Sequence, residues 1–144
     1  MIPLGIRTHN MTNVDPCGWI GEQGTRPEDG CAYFDTDEHG LMAGAHNLHS
    51  YGLDGIKTIS AMAARWAPAG AKNGPHNDPV SYAKAVSEVS GLDPESTVDF
   101  TNRATNFLVV KGIIFAENSN QPSGAPWYTN DQIIQAQAAT GLWG

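Results

Sequence analysis

The run Thr101-Asn102-Arg103-Ala104-Thr105-Asn106-Phe107-Leu108-Val109-Val110-Lys111-Gly112-Ile113-Ile114-Phe115-Ala116-Glu117 decides the fold class. From Phe107 to Phe115 it leaves little polar surface except at Lys111. A helix that is apolar nearly all round has to be covered by other elements, so this one is predicted to be central and buried. The segments on either side supply the cover. Asp78 followed by Pro79 is a plausible helix start, Tyr82, Val86 and Val89 line one face of that helix, and Gly91 suits its end. Ahead of it, Ile56, Ile59, Ala63 and Trp66 recur at helical spacing up to Pro68, and Ala67 to Asn77 is expected to be a loop. Earlier still, a helix is expected from Glu38 to about Tyr51-Gly52, with Leu41, Met42, Ala45 and Leu48 inward. After the central helix, Thr129-Asn130-Asp131-Gln132 has the form of a capping box opening a short helix that ends at Gly141.

The first third is different. Asp15-Pro16, Gly18, Gly21, Gly24, Pro27 and Asp29-Gly30 punctuate it, which predicts loops and a short hairpin pairing Trp19-Ile20 with Ala32-Tyr33-Phe34. The class is therefore mainly α (α+β), with five helices and a small β-hairpin region in a single domain over residues 1–144.

Bulk properties agree. A chain of 144 residues, 40% hydrophobic and 16% charged, fits one globular domain. A net charge of −7 argues against an electrostatic nucleic-acid binder, which would carry a basic stripe. No run reaches the roughly 18 to 20 apolar residues that span a bilayer, so membrane insertion is not expected. The opening Met1-Ile2-Pro3-Leu4-Gly5 lacks the regions of a signal peptide, which implies synthesis in a cytoplasm and another delivery route for any action outside it. Cys17 and Cys31 are either a disulfide or two thiols, with thiols the default in a reducing compartment.

Glu117 is the first candidate for chemistry. A carboxyl at the edge of a buried helix is partly desolvated, which favours its protonated form and suits a general acid. The alternative is a carboxylate satisfied by nearby loop amides, although a helix C-terminus is an unfavourable place for negative charge. Asn10 and Asn13 either bind sugar hydroxyls or cap turns. Glu38 either complements the dipole of its helix or serves as a second carboxyl, and Glu22 is expected to be a solvated turn residue. Trp66 fits a core, whereas Tyr82, Trp127 and Tyr128 are candidates for a wall on which a sugar stacks. His46 and His49 sit three apart on one helix without an obvious third ligand, so no metal and no cofactor are expected.

Several of these stretches occur together in a known family. Gly5-Ile6-Arg7-Thr8-His9-Asn10-Met11-Thr12-Asn13-Val14 resembles the Arg-x-x-Asn-x-x-Asn-Ile opening of phage virion proteins regarded as structural or lysozyme-like. The resemblance continues through Trp19-Ile20-Gly21, Tyr33-Phe34, Glu38-His39-Gly40-Leu41, Thr58-Ile59, Arg65-Trp66-Ala67-Pro68, Asn77 to Tyr82, and Ile113 to Asn118. The family's last motif usually reads His-Glu-Asn-Gly; here it is Ala116-Glu117-Asn118-Ser119, and Pro79 replaces a usual Thr. The same pieces are similar to a lytic transglycosylase or goose-type lysozyme taken in shifted order, with the Glu-bearing helix late and the hairpin first. A circular permutation would account for that order. The resemblance implies a lysozyme-like fold and cleavage of the MurNAc–GlcNAc bond, with Glu117 as general acid. Asn10, Asn13, Glu38, Tyr82, Trp127 and Tyr128 would face the glycan. It further implies a virion location, peptidoglycan strands and tail or baseplate proteins as partners, and action in the host periplasm or cell wall. The alternative is a structural tail or baseplate protein without catalysis.

Overall fold

A computed structural model describes residues 1–67 and 78–144. The elements in order are α1 (Leu4–Arg7), β1 (Glu22–Thr25), β2 (Ala32–Phe34), α2 (Asp37–Leu53), α3 (Ile59–Trp66), α4 (Pro79–Ser90), α5 (Arg103–Asn118) and α6 (Asn130–Ala139). The architecture is thus mainly helical with one small antiparallel sheet. Local chemistry sets most boundaries. Thr36 accepts a hydrogen bond from His39 N, Thr58 from Ala61 N, Asp78 from Val80 N and Ser81 N, and Asn102 from Thr105 N. Thr129 and Gln132 form the reciprocal capping box that opens α6. Gly91 ends α4 in the left-handed region at φ 76°, where a β-carbon would be strained.

The long apolar helix takes the place its sequence implies. α5 packs against α1, α2, α4 and α6, and Val109, Val110 and Ile113 are fully buried. Its close approach to α4 depends on Gly112, where an added β-carbon would stand 2.8 Å from both Val86 Cγ1 and Val86 O.

Three expectations need correction. The first strand is Glu22–Thr25 rather than Trp19-Ile20, because Trp19 to Gly21 form a turn that Glu22 N closes onto Trp19 O. The ladder pairs Glu22 with Phe34, Gly24 with Tyr33 and Thr25 with Ala32, with a bulge between Glu22 and Gly24. The four-residue helix α1 went unforeseen, being too short to show a period. Glu22 is not a free surface carboxylate: its Oε1 accepts from the backbone N–H groups of Cys17, Gly18 and Trp19 and holds that turn. Cys17 and Cys31 are both free thiols, Cys17 exposed and Cys31 buried. The loop expected over Ala67 to Asn77, with its stop at Pro68, lies outside the described residues except at Ala67.

The segment from Thr8 to Val14 has no regular structure, yet every neighbouring element fixes it. Small residues on α2 let it come close: an added β-carbon at Gly40 would lie 1.8 Å from His9 O, and one at Gly44 would lie 2.7 Å from Thr12 Oγ1. The indole of Trp66 on α3 donates to Thr12 O at 2.8 Å, and Asn118 at the end of α5 donates to Met11 O at 2.7 Å. Phe34 N and Ala32 N on β2 donate to Thr8 O and Val14 O. The buried backbone is therefore largely paired, which is what lets an irregular segment sit inside the fold.

Candidate active site around Glu117

Glu117 lies in the last turn of α5, and its carboxyl is directed at the fixed segment on one side and α4 on the other. Asn13 Nδ2 donates to Oε1 at 2.8 Å, and the Tyr82 hydroxyl donates to Oε2 at 2.8 Å. The Asn13 backbone has φ 54°, a left-handed conformation that Asn tolerates better than most residues. Tyr82 is buried on α4, and burial pushes its phenol well above the usual range, an effect the adjacent Glu117 charge reinforces. The phenol is therefore a donor at any ordinary pH.

Two influences on Glu117 oppose each other. Burial of the carboxyl disfavours its charge, and the donors Asn13 and Tyr82 favour it. Desolvation wins, and the carboxyl is raised from 4.5 to about 6. More distant groups act weakly: the Arg26 charge lowers the value and the Asp29 charge raises it.

Behind Asn13, a chain of hydrogen bonds runs into the turn after β1. Asn13 Oδ1 accepts from Arg26 Nη2 at 2.8 Å. Arg26 is buried at 2% exposure, its Nη1 donates to Thr8 Oγ1 at 3.0 Å, and its Nε and Nη2 grip both oxygens of Asp29. Burial pushes the Asp29 carboxyl up, but the hydrogen bonds from Arg26 and Cys31 N together with the Arg26 charge outweigh it and hold the group below its usual range. Gly5 of α1 closes the arrangement from behind. A β-carbon there would lie 2.8 Å from Asn118 Oδ1, 2.9 Å from Asn10 O and 3.1 Å from Asn13 Oδ1.

The sequence candidates thus separate. Glu117, Asn13 and Tyr82 meet within hydrogen-bond distance. Asn10 does not face a ligand: it is fully buried, its amide donates to Val14 O and Ala32 O, and its oxygen accepts from Val14 N. Tyr82 offers its hydroxyl to Glu117 and no exposed ring to a sugar. Glu38 is exposed in the first turn of α2, the favourable end of that helix for a carboxylate, and is not among the groups bonded to Glu117. Tyr128 is 5% exposed and its hydroxyl reaches Asp37 Oδ1 at 3.3 Å, beside His9, whose Nδ1 lies 2.7 Å from the same oxygen. Trp127 and Tyr128 line a cavity of about 170 Å³ with Lys111, Phe115 and Ser119, and Glu117 is not in its lining. Arg26 and Asp29 are the members of the network that sequence reasoning missed. The available signal was an isolated Arg inside a glycine-rich turn with an acid three residues on. No cluster of three or more metal-ligating side chains occurs among the described residues.

No protein-family profile matches the chain. It is similar to Protein P5 of Pseudoalteromonas phage PM2, with 29% identity over 135 residues, covering 90% of this chain and 76% of that protein. Among the described residues no helix is long and apolar enough to cross a membrane.

Proposed function

We propose that this is a phage virion protein that cleaves the MurNAc–GlcNAc bond of peptidoglycan, with Glu117 as the proton donor. The likeness to a phage protein supports the setting. The observation that carries the chemistry is the Glu117 carboxyl, raised to about 6 while two donors wait at its oxygens. Such a group stays protonated to a higher pH than an ordinary carboxyl, and the protonated fraction can give its proton to a glycosidic oxygen. Asn13 and Tyr82 then stabilise the carboxylate left behind, since each donates to it.

The only other carboxylate in the network, Asp29, is taken up by Arg26. A reaction needing one carboxyl therefore fits better than hydrolysis with a carboxylate pair. Glu117 protonates the leaving oxygen and the glycosidic C–O bond breaks. A hydroxyl of the same sugar closes on the cationic carbon, and its proton returns to Glu117. A lysozyme-like, circularly permuted arrangement is consistent with the contact between the end of α5 and the segment ahead of the hairpin. The experiment is fragment release from purified sacculi by the wild type and Glu117→Gln. Release by the wild type alone supports the reading, and equal release by both removes Glu117 from the mechanism.

One observation favours a second reading, a non-catalytic tail or baseplate protein. Both Glu117 oxygens already hold protein donors, so the network also serves to close α4 and α5 onto the Thr8 to Val14 segment. Stable incorporation into particles with no fragment release by either form would support it.

A further inference from the structure

We infer that Arg26, clamped by Asp29, is a positioning residue for Glu117 and acts through the Asn13 amide. An asparagine amide can be turned over without changing its shape, and the two orientations present opposite chemistry. Arginine has only donors, so the atom of Asn13 facing Arg26 Nη2 has to be the oxygen. The nitrogen then faces Glu117 Oε1. Turned over, Asn13 would set N–H against guanidinium and carbonyl oxygen against carboxylate, two repulsive contacts in place of two hydrogen bonds.

Arg26 is itself unable to turn away. It is buried, both Asp29 oxygens hold it, and Thr8 Oγ1 takes another of its N–H groups. Asp29 is fixed in turn by accepting from Cys31 N at 2.9 Å. The turn after β1 thus reaches Glu117 without touching it, through one side chain. The charged and titratable groups involved are Arg26 and Asp29 from this turn and Tyr82 from α4, with Asn13 between them. This is a role beyond stabilising the hairpin, because it specifies which protonation state of Glu117 its neighbour supports.

The inference builds on the reading of Glu117 as the working acid, but its test does not need activity. The Glu117 side-chain carbon is followed through a pH titration by NMR in the full chain, in wild type, Arg26→Lys, Asn13→Ala and the double variant. Lysine keeps the positive charge and loses the fork that fixes Asn13. Arg26→Lys is expected to raise the Glu117 midpoint by about one unit, the scale of a lost charge-favouring contact, and to add little once Asn13 is Ala. A midpoint unmoved by Arg26→Lys, or moved equally with and without Asn13, would overturn the inference. Should Arg26→Lys fail to fold, the wild-type Asn13 side-chain NH2 resonances decide: they are expected to follow the Glu117 titration, and resonances blind to it would overturn the inference. Absence of glycan cleavage with these titrations as expected would sink the proposed function alone.

Discussion

Replacing Glu117 by Gln should change how stability depends on pH, by an amount that follows from the site. Burial raises the folded carboxyl from the usual 4.5 to about 6. The folded state therefore holds this proton more tightly than the unfolded state does. The stabilisation from that proton is fully present below pH 4.5 and is lost as pH rises through 6. The difference of 1.5 units, at 1.36 kcal/mol per unit, comes to about 2 kcal/mol. This is an upper figure, because Glu117 is only partly buried as a residue. Gln cannot ionise, so relative to wild type it should gain about 2 kcal/mol between pH 4 and pH 7.5, whatever its new hydrogen bonds with Asn13 and Tyr82 contribute at both pH values. With an unfolding entropy of roughly 2.1 cal/mol/K per residue over 144 residues, the relative gain corresponds to about 7 °C in Tm. Thermal unfolding of both proteins from pH 4 to 8 measures it. A difference that stays flat would show the carboxyl to be unshifted, and one that falls with pH would show it stabilised as an anion; either would refute the desolvation argument.

Other perturbations probe the same network. Tyr82→Phe removes the donor to Oε2 and should raise the Glu117 midpoint above 6 at a stability cost of about 1 kcal/mol, read by NMR titration and urea unfolding. Asp29→Ala leaves the buried Arg26 guanidinium unpaired and should cost about 3 kcal/mol in urea unfolding at pH 7. Because the folded Asp29 carboxyl lies below its usual range, that contribution is present above the unfolded pKa and lost as pH falls through the folded one, opposite in sense to Glu117. Gly40→Ala drives a β-carbon into His9 O and should destabilise by roughly 3 kcal/mol or more, at the upper end of overpacking, with loss of the Asn13–Glu117 contact in NMR.

The helices from α2 onward were legible because each carries its own evidence. The apolar run of α5, Asp78-Pro79 before α4 and the Thr129–Gln132 box are local signals, and local signals survive folding. The first strand was misplaced because Trp19 and Ile20 have strand-forming side chains, whereas the ladder is set by the bulge at Gln23 and by Glu22 tying down the preceding turn. At the site, Glu117 stood out for its awkward place at a helix end, and Asn13 and Tyr82 entered as candidates to meet a sugar, not as partners of its carboxyl. Asn10 came with Asn13 in the same motif, and only the backbone it serves distinguishes the two. Arg26 was marked in the sequence only by standing alone in a glycine-rich turn with Asp29 three residues on. Its importance comes from burial and from an amide 13 residues away, neither of which has a sequence period.

That burial raises the Glu117 carboxyl toward neutral pH is tested most directly by a 13C NMR titration of its side chain. A midpoint near 6 is the expected result. A midpoint at or below 4.5 would mean that Asn13 and Tyr82 hold a permanent anion there, and would contradict a proton donor at this position.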